Sequence, residues 1–429
     1  MKILVFGGGG REHALIWALR KSSRVSEIVC APGNGGIAAV ARCVPAEMNN
    51  LASMLQVVEA EVPDLVIVGP EVPLAEGIVD ALVDRGIRVF GPTKKAAQLE
   101  TSKGFAKDFM QRWEIPTAAY AVCTTKEQVE QILAAEGSGF GASVVVKADG
   151  LAAGKGVVMC DSHGEAVSAA AEMFSGGLLG ERAESVVIEE TLTGPEISFF
   201  AICDGRKAVT LATAQDHKRI GEGDTGPNTG GMGAYSTDDL ITSEMSAWLL
   251  EHVAQRVVDG MAKEGSPFSG VLFCGIMLTP DGPKVLEFNT RFGDPETEAM
   301  MLRLETELLD IIEAAVDGRI DQIAVRLRPG ASACVIAASG GYPGKIVSGY
   351  AIHGLDLVRG EVHVFHAGTA KSEEEIVTAG GRVLGVSAAG NDLREALGRC
   401  YAALEVLQFE GMQFRRDIGW RALKDLSRS

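Results

Sequence analysis

Over residues 1–100, short apolar runs alternate with helical periodicity. Ile3–Phe6, Glu27–Ala31, Leu65–Val68 and Arg88–Phe90 have the nearly unbroken apolar character of buried strands. Between them, Glu12–Ser22, Leu51–Glu61 and Leu74–Arg85 repeat apolar side chains at helical spacing. This βαβ alternation predicts a parallel, doubly wound sheet. A helix is expected over Ser102–Trp113, then a smaller mixed unit with strands Ser143–Ala148, Gly156–Cys160 and Val186–Glu190. Longer, antiparallel strands are expected at Glu196–Cys203 and Ala208–Ala212, followed by a long glycine-rich loop. Helix Glu244–Lys263, strands Val271–Leu278 and Lys284–Asn289, and helix Glu298–Asp317 complete that region. After Arg328-Pro329-Gly330, short strands rich in Gly, Val and Ala precede a helix at Leu393–Leu407. The expected organisation is α/β and α+β multidomain, with regions 1–101, 102–326 and 327–429. The middle region divides into a small unit near 122–190 and a larger one near 191–326, and the last is small and β-rich.

Composition narrows the class. The chain has 429 residues, 46% hydrophobic and 23% charged, ordinary for a soluble protein of several domains. Its net charge of −17 makes a nucleic-acid backbone or an anionic membrane a poor partner. Eight dispersed cysteines with no C-x-x-C spacing are expected to be reduced and mostly buried, as in the cytosol. The opening Met1–Phe6 run reaches glycine at once, which reads as a strand rather than a signal-peptide core. No run approaches the ~18 apolar residues of a membrane span. A soluble, cytoplasmic protein is expected.

Candidate chemistry concentrates in Glu287-Phe288-Asn289-Thr290-Arg291-Phe292-Gly293-Asp294-Pro295-Glu296-Thr297-Glu298. Glu287 and Asn289 lie two apart on a predicted strand and so share a face. Two hard oxygen donors with Arg291 next along suit a divalent cation and the phosphate it carries. A solvated strand end with scattered charge is the plainer reading of any one of these residues.

Gly7-Gly8-Gly9-Gly10-Arg11-Glu12-His13 follows the first strand and opens a helix, where doubly wound folds bind phosphate on backbone N–H groups. A dinucleotide site does not fit. The spacing would need glycine where Glu12 or His13 stands, and the second strand ends at Ala31-Pro32-Gly33-Asn34 without an acid for a ribose diol. A small phosphorylated ligand or a plain glycine turn remains. Glu71, after the strand Leu65–Val68, can accept from ribose hydroxyls or simply begin a helix.

Val144–Val158 reads as two strands around a glycine-rich loop. It is not a Walker A loop, because the spacing is one residue short and Gly156 replaces the Ser or Thr that would hold magnesium. Lys147 within an apolar strand is costly unless its ammonium meets an anion, which makes it a phosphate candidate. Lys155 at the loop tip suits either a phosphate or water. The Val186–Glu196 segment leaves a strand for an acidic connector, able to meet an adenine edge and ribose or merely to link domains. The Asp216–Tyr235 loop is long, polar and glycine-rich, and such loops are usually functional. Asp216, His217, Lys218 and Arg219 with Asp224 and Asn228 suit an anionic, amine-bearing substrate. Scattered histidines speak against zinc, and no G-x-S-x-G elbow supports a serine hydrolase.

Taken together, Lys147, the 150–156 loop, Glu189–Glu196 and Glu287-x-Asn289-x-Arg291 resemble ATP-grasp enzymes. Three segments narrow this to the glycinamide ribonucleotide synthetase family: Gly8–Ala14, Asp216–Arg219 through Gly233–Tyr235, and Asn289–Glu296. The resemblance covers essentially the whole chain. It implies that ATP, glycine and phosphoribosylamine give ADP, phosphate and glycinamide ribonucleotide through a glycyl phosphate, in purine biosynthesis. It further implies Mg2+ or Mn2+ on Glu287 and Asn289, with Arg291 binding the carboxylate or the transferring phosphoryl group. Lys103 and Lys147 would hold ATP phosphates, and Gly154, Lys155 and Gly156 would form a closing flap. Glu189, Glu190 and Leu192 would meet adenine, and Glu196 its ribose. Gly8, Gly9, Gly10 and Glu71 would hold the phosphoribosyl part, with Asp224 and Asn228 in the substrate loop. Asp216, Lys218 and Asp294 would orient glycine or the amine. Small-molecule partners only and a monomer are expected. Another ATP-grasp carboxylate–amine ligase of nucleotide metabolism is the alternative.

Overall fold

In the computed structural model, strands β1 (Lys2–Gly7), β2 (Glu27–Pro32), β3 (Arg42–Cys43), β4 (Leu65–Val68) and β5 (Val89–Phe90) form a five-stranded sheet ordered β3-β2-β1-β4-β5. The structure describes residues 1–425 except 136, 138, 152–155, 178, 179, 181 and 374. Every pairing in this sheet is parallel. Both faces are covered, so β1 and β4 are buried along almost their whole length, which is why their sequences are continuously apolar rather than alternating. The strand order reverses between β1 and β4. The loops leaving their carboxyl ends, Gly8–Gly10 and Gly69–Glu71, therefore flank one crevice.

Strands β6 (Tyr120–Cys123), β7 (Val144–Ala148), β8 (Val157–Cys160) and β9 (Val186–Glu190) form a four-stranded antiparallel sheet ordered β6-β9-β7-β8. Helices Lys126–Ala134 and His163–Ser175 cover it, burying Val129, Leu133, Ala166, Ala170 and Met173. Helix Lys103–Arg112 begins at Ser102, whose side chain accepts from Phe105 N, a cap contributing about 1 kcal/mol.

The largest sheet has eight strands. They are β10 (Glu196–Asp204), β11 (Ala208–Asp216), β14 (Gly233–Thr237), β15 (Ser269–Thr279), β16 (Gly282–Asn289), β17 (Ala331–Ala338), β18 (Val362–His366) and β21 (Arg382–Gly390), ordered β16-β15-β10-β11-β14-β17-β21-β18. Two small ribbons, β12 (Arg219–Gly221) with β13 (Thr225–Asn228) and β19 (Thr369–Ser372) with β20 (Glu375–Thr378), project from it. Residues on both sides of position 327 thus share one sheet, through β14 and β17.

Three expected helices are interrupted. The 74–85 stretch becomes Glu71–Glu76 and Ile78–Val83, because Gly77 adopts a left-handed φ of 86°. The 244–263 stretch contains a π-helical segment at Leu250–Gln255. The 298–317 stretch divides into Glu296–Arg303 and Leu308–Val316. Leu304 leaves the helix in an extended conformation to bridge Leu327, and Glu305 N donates to Arg326 O. Tertiary pairing overrides local helix preference there. In the C-terminal region β17 and β21 are longer than the short strands expected.

Candidate active site

The small and large sheets meet at Lys147. Its Nζ lies 2.8 Å from Glu189 Oε1 and donates to Leu286 O on β16 at 3.3 Å. Glu189 Oε2 is 2.8 Å from Lys107 Nζ, which also donates to Thr117 Oγ1 at 2.7 Å. All three side chains are buried, so one carboxylate is shared by two ammonium groups and the cluster carries an excess positive charge. An anion is the complement it lacks. The carboxylate expected to meet adenine is therefore occupied by lysines. Glu190 is half-buried and accepts from Lys284 Nζ at 3.3 Å, and Leu192 is half-buried in the connector. Lys103 Nζ donates to Gly150 O at 2.8 Å, and its backbone N donates to Asp149 Oδ1 at 2.5 Å. Gly156 O accepts from Ala148 N at 2.7 Å, whereas Gly154 and Lys155 lie outside the described residues.

Glu287 on β16 stands opposite Gly275 of β15. Lys218 Nζ is 3.8 Å from Glu287 and also pairs with Glu196, forming a line from the connector to the β16 strand. Burial opposes ionisation of Glu287. The charges of Lys218, Lys147, Lys103 and Arg291 outweigh it and hold the carboxyl below its ordinary range. An anionic carboxylate beside the amide oxygen of Asn289 is a hard donor set that fits a divalent cation. Among the described residues, no group of three or more His, Cys, Asp or Glu is arranged to hold a metal. Phosphate oxygens and water would have to complete such a shell.

Arg291 turns back on β16, donating from Nη2 to Asn289 Oδ1 at 3.1 Å and from Nη1 to Phe292 O at 3.2 Å. Its Nη2 is 3.0 Å from Glu100 and its Nε 3.5 Å from Glu71. Asp294 is 2.9 Å from Arg382 Nη2 and accepts from Arg11 N at 3.4 Å. Burial raises its pKa, but Arg382 and Arg11 together hold it below the usual carboxylate range. Glu296 and Glu298 both sit buried in the first turn of helix Glu296–Arg303.

At the glycine turn, Gly9 N donates to Glu12 Oε2 at 2.6 Å, so one N–H expected to meet phosphate is taken internally. A Cβ at Gly8 would stand 2.5 Å from Gly33 O, and one at Gly10 would stand 2.4 Å from Glu298 Oε1. Close packing accounts for glycine at both positions. Asp216 is pushed well above the ordinary carboxyl range, by burial first and by Glu296 next. His217 N donates to its Oδ1 at 2.6 Å.

Asp224 makes no ion pair with Glu287, Arg291 or Asp294 among the described residues. At the β12–β13 tip it is 3.0 Å from Arg415 and 2.5 Å from Arg421, both near the C-terminus. Asn228 is half-buried on β13, opposite Arg219. Sequence reading missed Glu100, Lys107, Glu12 and Arg382. Two of these had a local signal: Lys107 is in line with the buried Ala106 and Met110 of its helix, and Glu12 stands three residues after Gly9 within the glycine motif.

A doubly wound sheet followed by two α+β units that join at a lysine-rich site defines an ATP-grasp enzyme. Three family models match the chain in order: the N domain of phosphoribosylglycinamide synthetase at 1–100, its ATP-grasp (A) domain at 101–297 and its C domain at 332–421. The chain belongs to the phosphoribosylglycinamide synthetase family. It is 50% identical over 427 residues to the phosphoribosylamine–glycine ligase of Xanthomonas campestris pv. campestris, spanning 99% of this chain and 98% of that one. The crystal structure of the phosphoribosylamine–glycine ligase of Thermotoga maritima superposes with a TM-score of 0.86 at 34% identity, over 97% of this chain and 100% of that one. A biotin carboxylase domain from Hydrogenobacter thermophilus, solved with MgADP and bicarbonate, shares the fold at 17% identity and a TM-score of 0.73, over 96% and 91% of the two chains.

Proposed function

We infer that this chain is a phosphoribosylamine–glycine ligase, an ATP-dependent carbon–nitrogen ligase of purine biosynthesis. The observation that carries the site assignment is geometric: Lys218 Nζ lies 3.8 Å from Glu287, and Lys147 of the small sheet donates to the neighbouring Leu286 O at 3.3 Å, an arrangement suited to a metal-bound polyphosphate.

A glycine carboxylate oxygen attacks the γ-phosphorus, and the bond to the bridging oxygen breaks to release ADP. The amine of phosphoribosylamine then attacks the acyl carbon of glycyl phosphate, the acyl–oxygen bond breaks, and phosphate leaves as the nitrogen loses a proton. A bound Mg2+ or Mn2+, held by Glu287 and Asn289, would neutralise charge on the phosphate oxygens. Lys103 and Lys147 bind phosphate, Lys147 exchanging one anion for another while Lys107 continues to neutralise Glu189. The connector from Glu189 to Leu192 meets adenine through its backbone, and Glu196 meets ribose.

Arg291 takes the carboxylate or the transferring phosphoryl group. Asp216, Lys218 and Asp294 orient glycine or the amine. Gly8–Gly10 and Glu71, at the switch point of the first sheet, hold the phosphoribosyl part. The divisions at 101 and 326, a monomeric state and a cytoplasmic setting complete the proposal. None of the described helices is long and apolar enough to cross a membrane.

Phosphate release from ATP tests the reading. Release that requires both glycine and phosphoribosylamine is expected. Release driven by bicarbonate, without glycine, would overturn it in favour of another ATP-grasp ligase.

A further inference from the structure

Two carboxylates face Arg291, and they are not equivalent. Glu100 lies in the short helix Gln98–Thr101, just ahead of Lys103, and its side chain is only 6% exposed. One oxygen is 3.0 Å from Arg291 Nη2. The other accepts from Thr290 N at 2.7 Å and Thr290 Oγ1 at 3.1 Å. Glu100 therefore fixes both the guanidinium and the backbone that carries it. Glu71 is 32% exposed and stands 3.5 Å from Nε. That contact lacks hydrogen-bond geometry, and the buried Nε–H has no hydrogen-bond partner among the described residues. A buried guanidinium donor facing only a distant, half-exposed carboxylate is an open position for an oxyanion.

We propose that Glu100 is a positioning residue that locks the Nη2 edge of Arg291, confining an incoming substrate oxyanion to the Nε edge, where it displaces Glu71. The inference rests on Arg291 receiving the glycine carboxylate or the transferring phosphoryl group. Displacement frees Glu71 to accept from ribose hydroxyls, so filling one site prepares the other. Coupling of this kind is reciprocal between the two ligands.

Steady-state kinetics of Glu100→Gln and Glu71→Gln, each first shown to melt cooperatively, test this. In Glu100→Gln one end of the side chain becomes a donor facing donors, on Thr290 or on Arg291. Its glycine KM is expected to rise about tenfold, equivalent to one lost charge-assisted hydrogen bond, while the ATP KM stays within about twofold. A selective fall in kcat instead identifies the oxyanion as the phosphoryl group and also supports the proposal. Glu71→Gln is expected to lower the glycine KM and raise that of phosphoribosylamine. Unchanged constants in Glu100→Gln, or equal shifts in every constant, would overturn the proposal. If Glu100→Gln does not fold, Glu100→Asp decides, with a wild-type glycine KM and kcat counting against it. The wild-type requirement for glycine is measured first, so that failure of the ligase reading is seen separately.

Discussion

Arg382 Nη2 lies 2.9 Å from Asp294 Oδ1, so a strand of the C-terminal region supplies the counter-ion of a carboxylate beside Arg291. The same guanidinium donates from Nη1 to Gly230 O at 2.6 Å and to Asp294 O at 2.7 Å, tying the segment between β13 and β14 to the 289–296 segment. Arg382→Met is expected to cut kcat/KM for glycine at least tenfold. It should also cost about 1–3 kcal/mol, since it takes the ion-pair partner from a largely buried carboxylate and leaves it only the weaker contact with Arg11. Phosphate-release kinetics and urea denaturation measure the two effects, and full activity in the folded variant would refute the role.

Glu287→Ala is expected to abolish turnover while changing stability by no more than about 1 kcal/mol, because Lys218 keeps Glu196 as its partner. Removing the divalent cation from wild-type enzyme with a chelator should give the same loss, restored by adding Mg2+ or Mn2+. Activity that survives in Glu287→Ala would rule out its assignment as a metal ligand.

His217 is fully buried, its Nε2 accepting from Gly419 N at 3.1 Å. Burial, then Arg415 and Arg421, lower its pKa to about 4, with Asp224 and Asp417 opposing. A depressed folded-state value means that its contribution is complete above the unfolded value of 6.5 and is lost as pH falls towards 4. Relative to His217→Gln, wild-type stability should fall by about 1.4 kcal/mol per pH unit in that window. Urea denaturation at pH 7, 6 and 5 checks this, and parallel curves would exclude it. Buried His13 and His366, lowered to about 3 and about 4, add slopes of the same sign to both proteins.

Glu298 behaves in the opposite sense. It is fully buried, neither oxygen has a hydrogen-bond partner among the described residues, and burial, then Asp294, push its pKa well above 4.5. Arg382 opposes this and Glu296 adds to it. A raised value stabilises below 4.5 and loses that contribution as pH rises through the folded-state pKa. Glu298→Gln should therefore match wild type near pH 5 and melt progressively higher than wild type as pH rises to 9. A difference in melting temperature that does not vary with pH would count against a neutral Glu298.

The alternation of strand and helix over residues 1–100 was legible because burial on both faces writes itself as unbroken apolar runs. The break at Leu304 was not, since it depends on a bridge to Leu327 that no local pattern announces. The shared face of Glu287 and Asn289 followed from strand periodicity alone. Glu100 and Arg382 were invisible for a different reason: they meet Thr290 and Asp294 across 190 and 88 residues of chain. Lys147 was legible as a cation seeking an anion, and the structure supplies Glu189 as that anion with Lys107 as a second claimant.

Backbone hydrogen bonding carries one sheet across residue 327, with Gly233–Thr237 of β14 laddered antiparallel onto Ala331–Val335 of β17. A chain cut after 327 would strip β14 of that neighbour and leave a mostly buried strand as a raw sheet edge. Such a fragment is expected to self-associate through β14 rather than behave as a smaller ligase. The C-terminal region thus serves as a cap on an adhesive edge as well as the source of Arg382.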